Sequence, residues 1–267
     1  MILTEILQNE RPASAEIQAR TARIYAGMLR VSQVMDGPNF QAISIRDLKY
    51  LYQEYDQEFF QGRLQQALGT CPMLFRLSRR LTSAAGQMTR RTRRDLPRQP
   101  LKRPANPDRF EYEISVSTTI LYQSFTDPSA TTKASGILCR DRLEALQRIF
   151  EHELIHLAEM LVWSESRCAG PRFQSIARRM FGHQEHTHRL VTSRDHALTK
   201  FGFRVGDWVA FDFEGKRYLG RINRLTRRAT ILVADPSGMR YTDGHHYRKF
   251  YIPLTMLQRA EVKTAKR

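Results

Sequence analysis

The clearest chemistry in this sequence lies in His152-Glu153-Leu154-Ile155-His156. On a helix, residues four apart project from the same face, one turn above the other. Two imidazoles so placed can grip one zinc ion at about 2.0–2.1 Å each. Glu153 then lies beside the metal and not on it. Its carboxylate is placed as a general base, taking a proton from a water polarised by the ion and passing it to a leaving amine. The competing reading is a pair of histidines that are merely packed or solvated. Against it, Ile149, Phe150, Leu154, Ile155 and Leu157 surround the motif, and histidines buried among apolar neighbours need a ligand or a hydrogen-bond partner.

The motif needs a long helix, and the sequence predicts one from Asp141 to about Trp163. Asp141 with Glu144 reads as a capping box, and Leu143, Leu146, Phe150, Leu154, Leu157 and Leu161 form its buried stripe. A further helix is expected over about Pro171 to Met180, with Pro171 in its first turn and Gly182 at its end. Upstream, Ser44 with Asp47 marks the start of a helix reaching Leu68, with a possible break at Gly62. Met73–Leu77 and Ala84–Thr89 read as strands. Phe110–Ser117 alternates apolar and polar residues, as a half-buried strand does. Residues 1–43 read as a helical extension ended by Asp36-Gly37-Pro38-Asn39, either packed on the main domain or serving as a partner-binding arm.

The chain has 267 residues, 41% of them hydrophobic, enough for one large domain or a medium one with a small companion. No apolar run reaches bilayer length, and the N-terminus lacks a secretory signal. A cytoplasmic protein with no membrane partner is expected. Cys71, Cys139 and Cys168 are far apart, which argues against a disulfide framework and for small buried side chains. The net charge of +16 points toward a polyanion, nucleic acid first. Arg90–Arg109 reads as a mobile basic loop with four prolines, equally a solvated insertion or a phosphate-contacting arm.

After about Phe203 the texture changes to short strands: Val205–Phe213, Arg217–Asn223, Ala229–Ala234 and Tyr247–Ile252. Turns are expected at Glu214-Gly215, Asp235-Pro236-Ser237-Gly238 and Asp243-Gly244. Residues 201–258 are predicted to form a small SH3-like β-barrel, followed by a basic tail at 259–267. Residues 201–267 hold 14 Lys and Arg against 6 Asp and Glu. Arg217, Arg221, Arg224, Arg227 and Arg228 form a possible phosphate-tracking stripe, and Trp208, Tyr218, Tyr241 and Tyr247 possible stacking residues. The alternative is that these aromatics fill the barrel core, the reading preferred for Trp208.

Taken with its surroundings, the motif resembles the SprT-like zinc metallopeptidases, which include the Spartan proteases of DNA–protein crosslink repair. The resemblance runs through Phe59-Phe60-Gln61-Gly62-Arg63-Leu64, Phe75-Arg76-Leu77-Ser78, Ala84-Ala85-Gly86, Glu113-Ile114-Ser115-Val116, the histidine helix and Gly170-Pro171-Arg172-Phe173. It implies an α+β fold, with a zincin-like domain over 44–200. It also implies a zinc-dependent endopeptidase that acts on DNA-associated or DNA-crosslinked proteins and uses Glu153 as general base. The strand at Phe110–Ser117 would then lie near the cleft and pair with an extended substrate. The alternative is a non-catalytic DNA-binding or adaptor protein.

Two departures from the family matter. A third histidine normally precedes the Gly-x-x-Phe step, and here that position is Ala169, with Cys168 beside it. Zinc in catalytic sites usually takes three protein ligands. His183 is the expected replacement and His188 its rival, while His186 reads as a surface residue and Glu159 as a paired or solvated carboxylate. The four-cysteine zinc ribbon of some relatives is also missing, with the basic barrel in its place. The expected site is therefore Glu153 with Zn2+ on His152, His156 and His183. Nucleic-acid contacts are expected from Arg90, Arg91, Arg93, Arg94, Arg221, Arg224, Arg227 and Arg228.

Overall fold

A computed structural model describes residues 2–92, 110–125, 132–190, 197–198, 200–226 and 228–260. The chain divides into two compact units, Met1–Leu190 and Val191–Arg267. The first unit opens with α1 (Leu3–Asn9), α2 (Ser14–Val31), α3 (Ile45–Phe60) and α4 (Arg63–Leu68). Ser44 and Asp47 do close a capping box, with Ser44 N–H on Asp47 Oδ2 at 2.7 Å and Asp47 N–H on Ser44 Oγ at 3.3 Å. The break at 61–62 is real: Gln61 and Gly62 are both left-handed, with φ 55° and 74°. The buried Asp56 carboxylate then accepts the Leu64 and Gln65 N–H groups that start α4.

Of the two expectations for the N-terminal helices, packing on the main domain is the one seen. Ile6, Leu7, Ile24, Met28 and Phe40 sit in the same core as the histidine helix. Tyr25 Oη donates to Asp141 at 2.8 Å, and Gln147 Nε2 to the Thr21 carbonyl at 3.0 Å.

Next come β1 (Met73–Ser78), β2 (Gly86–Thr92) and β3 (Phe110–Ser117), then α5 (Thr118–Gln123), β4 (Thr132–Ala134) and β5 (Ile137–Cys139). β3 is the middle strand, parallel to β1 and antiparallel to β2. Both its edges are therefore paired, which corrects the expectation that it receives a substrate strand. Local alternation reveals a strand but not its neighbours.

The histidine helix is α6 (Arg142–Trp163), capped as predicted by Asp141, whose carboxylate accepts the Glu144 N–H at 2.9 Å. It is buried on nearly every side, so its apolar residues are not confined to one stripe. Its first residue, Arg142, is 1% exposed; its N–H donates to Asn39 Oδ1 at 3.0 Å, and its guanidinium donates only to backbone carbonyls, those of Asn39, Phe40, Leu121, Tyr122 and Ser124. The start of α6 is thereby tied to the 39–40 loop and to the end of α5. α7 (Pro171–Phe181) follows, with Pro171 in its first turn and left-handed Gly182 closing it. β6 (His188–Arg189) pairs with β4 and completes a second small sheet.

The second unit contains β7 (Trp208–Phe213), β8 (Lys216–Leu225), β9 (Arg228–Arg240), β10 (His246–Pro253) and β11 (Gln258–Arg259). They form one antiparallel sheet ordered β10-β9-β8-β7-β11. No pairing joins β10 to β11 among the described residues, so the sheet does not close into a barrel. Asp235–Gly238, expected as a turn, lies within β9. Ser237 N–H and Oγ both bond Asp235 Oδ1, an Asx turn inside the strand, and the register with β10 jumps there from Ala234 opposite Tyr247 to Arg240 opposite His246.

Candidate metal centre

The site begins with two rings on α6. His152 and His156 turn toward each other, Nε2 to Nε2, at 3.2 Å. Two imidazoles on one tetrahedral zinc would hold these atoms about 3.3 Å apart. An N–H···N hydrogen bond has the same length, so a third donor must tell the two arrangements apart. Cys168 is the nearest candidate among the described residues. Its Sγ and the two imidazoles form a group whose ligand atoms all lie within 4.8 Å of one another, with His152 buried and the other two half-buried. The donor set is one that zinc accepts.

His156 is oriented from behind. Its Nδ1 lies 2.6 Å from Ser166 Oγ, and Ser166 donates its single proton to Glu159 Oε2 at 2.5 Å. Ser166 must therefore accept from His156, so Nδ1 carries the hydrogen and Nε2 is left with a lone pair. Glu159, 1% exposed, is held in turn by Arg172 Nε at 2.7 Å, and the Arg172 guanidinium sits 4.4 Å from the Trp163 ring centre. Burial keeps the His156 imidazole below its usual pKa, opposed by the charge of Glu159. A ring that stays neutral near pH 7 suits a metal ligand. Phe173 on α7 packs on both imidazoles, with ring centres 4.8 Å from His152 and 4.5 Å from His156.

Glu153 is 3% exposed and faces β2. Burial pushes its carboxyl up to about 8, against a hydrogen bond from the Met88 backbone that favours the charged form. A nearby dication would pull it down again. Gly86 makes room for it: a Cβ at that position would sit 2.5 Å from Glu153 Oε1 and 2.8 Å from Ile149 Cγ2. β2 pairs only with β3 among the described residues, so its other edge, like the outer edge of β1, carries no strand partner.

His183 does not join the group. The left-handed Gly182 turns the chain back, with His183 N–H on the Ala177 carbonyl, and the ring enters a separate cluster. There Nε2 meets Glu151 Oε2 at 2.8 Å, Arg148 meets the same oxygen at 2.8 Å, and Tyr55 Oη donates to Oε1 at 2.7 Å. His186 is exposed. His188 lies in β6, and its side chain is outside the described residues. Cys168 was visible in the sequence only as a thiol beside the vacated Ala169 position. Finding it required the turn at 167–170.

The basic residues separate into two groups. Arg90 and Arg91 belong to β2: Arg90 stacks 4.5 Å from the Phe110 ring centre, and Arg91 reaches Glu113 at 3.4 Å. Arg93, Arg94 and Arg227 lie outside the described residues, as do residues 93–109 of the basic loop and 261–267 of the tail.

In the second unit Arg221, Arg224 and Arg228 are exposed. Strict alternation would send Arg221 and Arg224 to opposite faces. The register shift between Ile222 and Arg224 restores them to one, opposite Leu232 and Thr230 respectively. Trp208 and Lys249 share the row of Arg221, and Tyr251 that of Arg224. Trp208 is 42% exposed, not core as expected; the core aromatics are Phe203, Phe211 and Phe250, with Tyr218 packed on the last two.

Compared with protein-family models, curated proteins and solved structures, the chain matches none. Among the described residues no helix is long and apolar enough to cross a membrane.

Proposed function

We propose that this chain is a zinc-dependent endopeptidase, with a zincin-like first unit, whose substrates are proteins held on nucleic acid. The observation that carries the reading is the pair of facing Nε2 atoms, 3.2 Å apart, on the helix that also bears Glu153. Bound zinc supplies Lewis acidity toward a scissile carbonyl and acidifies water. His152 and His156 would hold it. Glu153 would take the proton from the attacking water and return it to the departing amine. The free edge of β2, whose Met88 N–H touches Glu153, would take an extended chain by backbone pairing. The SprT-like pattern of the sequence supports the same chemistry.

The nucleic-acid part of the proposal rests on the charge of +16 and on the outer face of the second sheet. There Arg221, Arg224 and Lys249 offer phosphate contacts, and Trp208 and Tyr251 offer exposed rings.

Glu153→Gln tests the peptidase reading: metal content stays stoichiometric, and cleavage of a DNA-bound protein substrate falls below detection. Cleavage at the parental rate by that variant refutes the role. A parent that holds zinc and binds DNA but cleaves nothing is the adaptor instead. For the nucleic-acid face, Arg221→Gln with Arg224→Gln lowers the salt slope of single-stranded DNA binding by roughly 0.7 per lost contact. An unchanged slope removes this face from the account.

A further inference from the structure

We propose that Cys168, as a thiolate, is the third protein ligand, making a His2Cys centre where the resembling family uses three histidines. The inference rests on the reading of His152 and His156 as a metal pair. The thiol is presented by a turn closed by Gly170 N–H on the Arg167 carbonyl at 2.8 Å, with Cys168 and Ala169 at its two central positions. Ala169 occupies the place of the family's histidine, and its carbonyl is taken by Gln174 Nε2 at 3.1 Å. The ligand has thus moved one residue back along the same turn.

The segment is clamped on both sides of the thiol. Before it, Ser166 is bound to His156 and to Glu159. After it, Pro171 starts α7, which carries Phe173 onto both imidazoles. The proximity of Cys168 therefore belongs to the same framework that orients the rings. A closed tetrahedral site would hold sulfur and nitrogen about 3.6 Å apart. From a group within 4.8 Å, the turn needs to close by at most about one ångström.

A thiolate changes what the site can do. With two neutral imidazoles it leaves a net charge of one on a bound dication, and it favours zinc or cobalt over magnesium, calcium or manganese. Binding releases the thiol proton.

The test is cobalt(II) substitution of the full chain. A thiolate ligand gives an intense near-ultraviolet sulfur-to-cobalt charge-transfer band, and the wild-type protein shows it. Cys71→Ser keeps the band, whereas Cys168→Ser loses it and weakens zinc binding more than about 100-fold. If cobalt binds to wild type without the band, Cys168 is not a ligand and the histidine pair still stands. If Cys168→Ser retains parental zinc affinity, the inference fails in the same way. If wild type binds neither metal, the histidine reading fails and takes this one with it. The wild-type spectrum needs no variant, so a Cys168→Ser protein that fails to fold does not block the answer.

Discussion

Helix α6 carries two buried histidine clusters built on opposite plans. Around Glu151 the carboxylate is the hub: Tyr55 occupies one oxygen, Arg148 and His183 the other, and all of its charge is spent inside the protein. Around His156 the imidazole is the end of a chain: Arg172 holds Glu159, Glu159 holds Ser166, Ser166 holds Nδ1, and Nε2 is turned to face a second imidazole. The first arrangement stabilises a fold. The second orients a lone pair. One residue type thus serves two purposes beside one helix, and the difference lies in which atom is left to face outward from the network.

Variants can break this contrast. The largest effect is expected from His156→Ala, which loses stoichiometric zinc, while His183→Ala keeps it; elemental analysis of the two proteins decides. Loss of zinc from His183→Ala would merge the clusters into one functional unit. Next is Glu151→Gln, which leaves the largely buried Arg148 without its hydrogen-bonded carboxylate and lowers stability by about 3 kcal/mol, read from denaturant midpoints at constant slope. Metal stoichiometry should not move, and if it does, the hub is more than structural. Smallest is Ser166→Ala, which removes the acceptor that fixes the His156 tautomer and weakens zinc about 10–100-fold. Competitive titration with a chelator measures it. An unchanged affinity would make the relay a packing detail.

The sequence carried the local signals well. Asp141, Ser44, Pro171 and Gly182 act at helix ends as their types predict, because capping is decided within a turn of the chain. The helix bearing His152, Glu153 and His156 was legible for the same reason. What depends on distant partners was not. In a string of letters His183 looks the better ligand and Cys168 an outsider; the direction of the chain after Gly182 and the turn at 167–170 reverse that order. The central place of β3, the open second sheet and the exposure of Trp208 are likewise set by neighbours far along the chain. The bulge that returns Arg224 to the face of Arg221 has no residue signature of its own here.

Arg142 has one more consequence. It fastens the first residue of α6 to five carbonyls, ten residues before His152, or about 15 Å along the axis. That anchoring opposes sliding or rotation of the helix, so the proposed metal centre would load through movement of the short stretch between Ser164 and Gly170. Amide hydrogens there should exchange fastest in the apo protein and slow most when metal is added, while those in the first turns of α6 stay protected throughout.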